Sequence, residues 1–137
     1  MVRNFLYRSE TLLQPHDLAF RVILEQARSR NSNMAITGYL HWEDGTFHQW
    51  VEGPEAELRI VEKCINESRS HYGQTILSRD AATIRQFPGW HMALGLSEKN
   101  SLFDFVATQG VRTLDRTEYA AGVLAFMRAK SETTSPF

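Results

Sequence analysis

Gln49, in the stretch DGTFHQWVEGP from Asp44 to Pro54, is a primary amide set among aromatic and aliphatic neighbours. If Phe47 to Val51 is a strand, alternation puts Phe47, Gln49 and Val51 on one face and His48 and Trp50 on the other. An amide buried without partners costs about 1–3 kcal/mol, so both its NH2 and its C=O need something to bond, in the protein or in a ligand. The same parity in an N-terminal strand groups Phe5, Tyr7 and Ser9, and in a strand starting at Trp90 it groups Trp90, Met92 and Leu94. With Asn31 entering from the end of a helix, a phenol, two carboxamides, an indole and a thioether converge. Such a set offers donors and acceptors to the edge of a planar heteroaromatic ligand. It contains no nucleophile with its base, no paired carboxylates and no metal cluster, so binding is expected and turnover is not.

Each of these residues also has a plainer role. Tyr, Trp and Met facing a sheet interior serve as core, and a buried Gln can bond to a buried backbone group. Asn31 can be a helix C-cap, and His71 can end a helix favourably. His41 and His48 are expected to face solvent, and Cys64 reads as a small core hydrophobe.

The elements that must position this set follow from local patterns. Val2 to Arg8 reads as a strand; Pro15 and Asp17 open a helix in which Leu18, Val22, Ile23 and Ala27 recur at helical spacing. Met34–Trp42 and Thr46–Glu52 form a hairpin through the Asp44-Gly45 turn. Gly53-Pro54 ends that strand and starts a second helix, with Leu58, Val61, Cys64 and Ile65 as its apolar stripe. Gln74–Ser78 is extended, and Trp90–Leu96 follows the Phe87-Pro88-Gly89 turn. The order βαββαββ, with two helices on one face of a mostly antiparallel sheet, is an α+β ferredoxin-like sandwich. Beyond it, Ser101–Ala107 and Asp115–Arg128 read as two more helices with Leu114, Val123, Leu124 and Phe126 as anchors, and residues 131–137 read as a polar tail.

Composition excludes several function classes. A chain of 137 residues with 42% hydrophobic content fits one core-forming domain. Its 15 basic and 16 acidic residues, scattered without a stripe, leave no field for nucleic acid. One cysteine permits no internal disulfide. No apolar run approaches the ~20 residues of a membrane helix and the N-terminus has no signal-peptide core, so a cytoplasmic protein is expected.

Four stretches, LYRS, RNSNMAITGYL, DGTFHQWVEGP and RQFPGWHMAL, in this order and spacing, resemble the BLUF family of blue-light sensors that use flavin. The resemblance covers roughly residues 2 to 96. It implies that Tyr7 is the photoactive tyrosine and Gln49 the switching glutamine, with Ser9, Trp90 and Met92 linked to the switch and its output. It further implies a flavin site, for FAD with FMN as the alternative, drawn from Asn31, Gln49, Tyr7, Ile23, Leu40, Phe47, Arg30, Ile65, His71 and Met92. By resemblance, light makes the flavin oxidising, Tyr7 supplies an electron and a proton, and Gln49 is left rotated or tautomerised with the absorption shifted to the red. Arg30, where many members carry Asn or His, and His48, where an apolar residue is usual, depart from the family pattern.

On this reading, residues 1–97 are the photosensor and 98–130 a helical extension for output or subunit contact. With no catalytic domain after residue 130, output through a separate protein is expected, such as a cyclic-di-GMP phosphodiesterase or a response-regulator-like factor, or through a homo-oligomer. The alternatives are a small enzyme on the same fold and a ligand-free interaction domain, the latter colourless when purified.

Overall fold

A computed structural model describes residues 1–97 and 101–132. The chain runs β1 (Val2–Glu10), α1 (Leu18–Asn33), β2 (Thr37–Glu43), β3 (Thr46–Gly53), α2 (Glu55–Glu67), β4 (Tyr72–Ala82), β5 (Ala93–Ser97), α3 (Ser101–Thr108) and α4 (Arg116–Glu132). The five strands lie in the order β4-β1-β3-β2-β5. All neighbours are antiparallel except β2 and β5, which run parallel. The ferredoxin-like α+β fold expected from the sequence is therefore present.

Strand alternation sorts the central residues cleanly. On one face Phe5, Tyr7, Ile36 and Val51 pack with Leu58, Val61 and Ile65 of α2. On the same face Leu40, Trp42, Phe47 and Met92 pack with Phe20 and Leu24 of α1. These are two separate apolar clusters, and a gap runs between them. The opposite face carries Leu6, Tyr39, Trp50 and Ala93, which share one cluster with Leu102 and Val106 of α3 and with Ala120, Val123, Phe126 and Met127 of α4. The C-terminal helices thus cover the face that α1 and α2 leave bare.

Five local expectations change. The last strand begins at Ala93, so Trp90 and Met92 lie before it. Residues 83–92 are irregular, alternation does not apply across them, and Trp90 packs against the cluster under α3 and α4 while Met92 faces α1. His41 and His48 are buried, because the second sheet face is roofed by helices and not by water. Leu114 is fully exposed, since it precedes the helix and Asp115 takes the cap: the Glu118 amide donates to the Asp115 carboxylate at 3.2 Å. Cys64 is exposed, one position off the Leu58, Val61, Ile65 stripe of α2. Ser131 and Glu132 continue α4. The remainder of the expected tail, 133–137, lies outside the described residues.

Candidate functional site

The gap between the two clusters is a cavity of about 210 Å³. Tyr7 of β1, Leu40 of β2, and Phe47 and Gln49 of β3 form its floor. Ile23, Leu24, Ala27 and Arg30 of α1 form one wall, Cys64 and Ile65 of α2 the other, and Ser68, Ser70, His71 and Met92 close the ends. A face that served only as core would join its two clusters; this one keeps them apart with polar groups between them.

Tyr7 and Gln49 are direct cross-strand partners in β1 and β3. The Tyr7 hydroxyl donates to Gln49 Oε1. Gln49 Nε2 in turn donates to the Met92 sulfur at 3.3 Å. The amide is thereby oriented at both ends: reversing it would set its carbonyl oxygen against the thioether, acceptor on acceptor. Burial pushes the Tyr7 phenol well above its usual pKa, with the Arg30 guanidinium opposing the shift, so the hydroxyl stays protonated and available as donor. Register in β4 shifts between the partners of Leu6 and Tyr7, a bulge that sits beside the phenol.

Ser9, fully buried, meets His71 Nδ1 at 2.7 Å, and the other ring nitrogen meets the Ile65 carbonyl at 2.8 Å. The ring of His71 lies 5.8 Å from that of Tyr7. His71 therefore stands beyond the end of α2 and pins β1 to it. Asn31 is fully buried but is not a C-cap, for α1 runs on to Asn33 and Met34 takes that position. Its Nδ2 donates to the His91 carbonyl at 2.7 Å. Its Oδ1, and the neighbouring Arg30 Nε, are buried without a hydrogen-bond partner among the described residues. Buried orphans cost free energy and are normally satisfied, so Arg30 on the cavity wall, with Asn31 next to it in α1, marks a position where a ligand with polar edges gains. A flavin ring, planar and apolar in its faces with donors and acceptors along one edge, fits that donor set and those aliphatic walls.

The cavity thus brings together Tyr7, Gln49, Met92, Ile23, Leu40, Phe47, Arg30, Ile65 and His71, with Asn31 one residue behind Arg30. Trp90 is on the other side of the sheet. Sequence reading missed Arg28, whose Nε donates to the Met92 carbonyl at 2.9 Å and holds the strand entry to α1. It also missed Glu52, a fully buried carboxylate on β3. Glu52 accepts from Trp50 Nε1 at 3.0 Å, Thr37 Oγ1 at 2.9 Å, and the backbone amides of Gln86 and Phe87, each at 2.8 Å. An acidic residue before Gly53-Pro54 looks like solvent-facing punctuation until its four donors are seen.

Comparison with known proteins shows what this chain is similar to in sequence and fold. A curated relative, the blue light- and temperature-regulated antirepressor BluF of Escherichia coli (strain K12), is 27% identical over 131 residues, 93% of this chain. The chain spans about a third, 32%, of that protein's length. The solved structure of BlrB, a BLUF protein in its dark state, superposes with a TM-score of 0.79 at 23% identity, covering 94% of this chain and 96% of that one. The ground state of BlsA superposes with a TM-score of 0.78 at 23% identity, covering 93% and 88%. At those identities the superpositions show the fold. Residues 2–93 match the family described as "BLUF: Sensors of blue-light using FAD", a span that holds every wall of the cavity; the chain belongs to the BLUF family, whose members sense blue light with a flavin.

Proposed function

We propose that this chain reads blue light through the row Tyr7, Gln49 and Met92, with FAD as its flavin, and passes the result through α3 and α4 to a separate protein or to a second copy of itself. The observation that carries the reading is the oriented Gln49 amide, held between the Tyr7 hydroxyl and the Met92 sulfur at the edge of a slot with unpaired buried polar groups. When bound, a flavin supplies the light absorption and a transient oxidising power. The chain's own part is to hold Tyr7 protonated and hydrogen-bonded, ready to give up an electron and a proton, and to let Gln49 settle in a second orientation. Met92 favours the first orientation only weakly, because a thioether is a poor acceptor. A net worth of about 1 kcal/mol for one neutral hydrogen bond means the two orientations are close in energy and the change reverses in the dark.

A cytoplasmic location belongs to the same reading; no described helix is long and apolar enough to cross a membrane. The partner belongs to it as well, with a cyclic-di-GMP phosphodiesterase and a response-regulator-like factor as the classes to try first. The test is the absorption spectrum of the purified yellow protein before, during and after blue light. The expected result is a red shift that reverses in the dark, lost in both Tyr7→Phe and Gln49→Leu while the flavin stays bound. A bleached flavin in the parent, or an unchanged photocycle in either variant, contradicts the reading.

A further inference from the structure

Behind Gln49, on the far face of β3, lies a polar row that the flavin slot does not use. Along the next rung of the sheet, His48 is the cross-strand partner of Arg8 on β1 and of His41 on β2. Both histidines are nine-tenths buried or more. His41 Nε2 meets Glu43 Oε1 at 2.9 Å, and because a carboxylate only accepts, that nitrogen carries the proton. Glu43 also receives the Leu102 amide at 2.7 Å and the Phe103 amide at 3.2 Å, so it caps the start of α3. His48 Nε2 meets the Tyr119 hydroxyl of α4 at 2.9 Å, across 71 residues of sequence. The His48 and Tyr119 rings are 5.9 Å apart, edge to face. Burial lowers the pKa of His48 to about 3, so this contact is made by a neutral imidazole.

This row gives α4 a directional contact with the strand that bears the switch. The remaining α4 contacts with the sheet include the apolar side chains Val123, Phe126 and Met127, which tolerate small sliding because dispersion and burial are not directional. A hydrogen bond is different: it weakens steeply when its angle or length departs from the optimum. Gln49 and His48 share one peptide unit, and the Tyr7↔Gln49 rung is adjacent to the Arg8↔His48 rung. The Tyr7 tie on one face and the His48 contact on the other thus act on β3 at neighbouring residues.

Resting on the light-sensing reading above, we propose that His48 and Tyr119 are positioning residues for the output, and that their hydrogen bond is the contact through which the state of Gln49 is felt by α4. The dark arrangement is the one with the bond formed, so the light state lengthens it and loosens α4. The test is hydrogen exchange of the α4 amides in the flavin-loaded full chain, in the dark and under continuous blue light, with the absorption spectrum taken on the same samples. In the parent, exchange over 116–132 rises in light by about fivefold, the scale on which one neutral hydrogen bond shifts an equilibrium. Tyr119→Phe and His48→Leu keep the red shift and lose the light-minus-dark difference. His48→Gln, whose amide can still meet the Tyr119 hydroxyl, restores part of it. A difference that survives in Tyr119→Phe overturns the proposal and assigns transmission to the other α4 contacts, the apolar ones or the Arg128–Gln86 hydrogen bond. A red-shifting parent with no difference overturns it as well. Absence of the red shift in the parent strikes the light-sensing reading first and this proposal with it.

Discussion

On the proposed function, Asn31 holds the ligand and takes no part in the switch. Its Nδ2 is already engaged by the His91 carbonyl, and its Oδ1 faces no protein donor among the described residues, so the amide is half satisfied. A ligand N–H that meets Oδ1 completes it. Asn31→Ala should therefore weaken flavin retention by about 1–3 kcal/mol, roughly 5- to 150-fold in affinity, and leave the red shift of the retained fraction intact. Flavin occupancy after exhaustive dialysis measures the first, and the light-induced spectrum of the remainder measures the second. Equal occupancy in mutant and parent would make Asn31 an anchor for the 91–92 segment alone. At this scale the sequence was legible where alternation applies: Tyr7 and Gln49 do face each other because both stand in regular strands. Trp90 stands off the expected face because residues 83–92 are irregular, and no periodicity survives an irregular segment.

The irregular segment is nevertheless fixed, and β3 fixes it. Glu52, three residues after Gln49, takes the Gln86 and Phe87 amides and so ties the loop before Met92 to the strand that carries the glutamine. Arg85 adds a second tie, donating to Thr37 Oγ1 at 2.8 Å and to the Ala35 carbonyl at 2.7 Å. Gly38 donates its amide to the Trp90 carbonyl at 2.9 Å, a further tie between β2 and this loop, and it has no room for a Cβ because the Trp50 carbonyl of β3 lies against it. Glu52→Leu would strand four buried donors at once. The expected loss is about 3–5 kcal/mol in a urea unfolding curve, against a smaller loss for Glu52→Gln, which keeps an acceptor. Similar losses for the two variants would show that volume, not hydrogen bonding, is what Glu52 contributes. The helices themselves were legible in the sequence from capping and spacing, as with Asp115 and the α2 stripe. The burial of His41 and His48 was not: alternation sets both on the face opposite Gln49, but they are buried only once α3 and α4 close over that face.

For the molecule as a whole, burying two imidazoles has a pH signature. Burial lowers the pKa of His48 from 6.5 to about 3, with the charges of His41 and Arg8 adding to it. Burial lowers that of His41 too, opposed by Glu43. Between those values the unfolded chain binds a proton that the folded chain refuses. Stability is therefore complete above pH 6.5 and falls as the pH drops, by about 1.4 kcal/mol per pH unit from His48 alone. Unfolding free energies from urea curves at pH 7 and pH 5 should differ by about 2 kcal/mol from this source, and His48→Gln should remove that part of the slope. A slope unchanged in the variant would place the acid sensitivity elsewhere. The pleat of β3 also constrains how this chain can descend with modification. Phe47 and Gln49 face the slot while His48 and Trp50 face the α3–α4 side, so inserting or deleting one residue between Thr46 and Gly53 would exchange the two sets, presenting an imidazole to the slot and an amide to α4. The length of β3 is therefore held more tightly than its composition: a substitution changes one face at one point, whereas a single-residue indel moves Gln49 and Glu52 off their partners together.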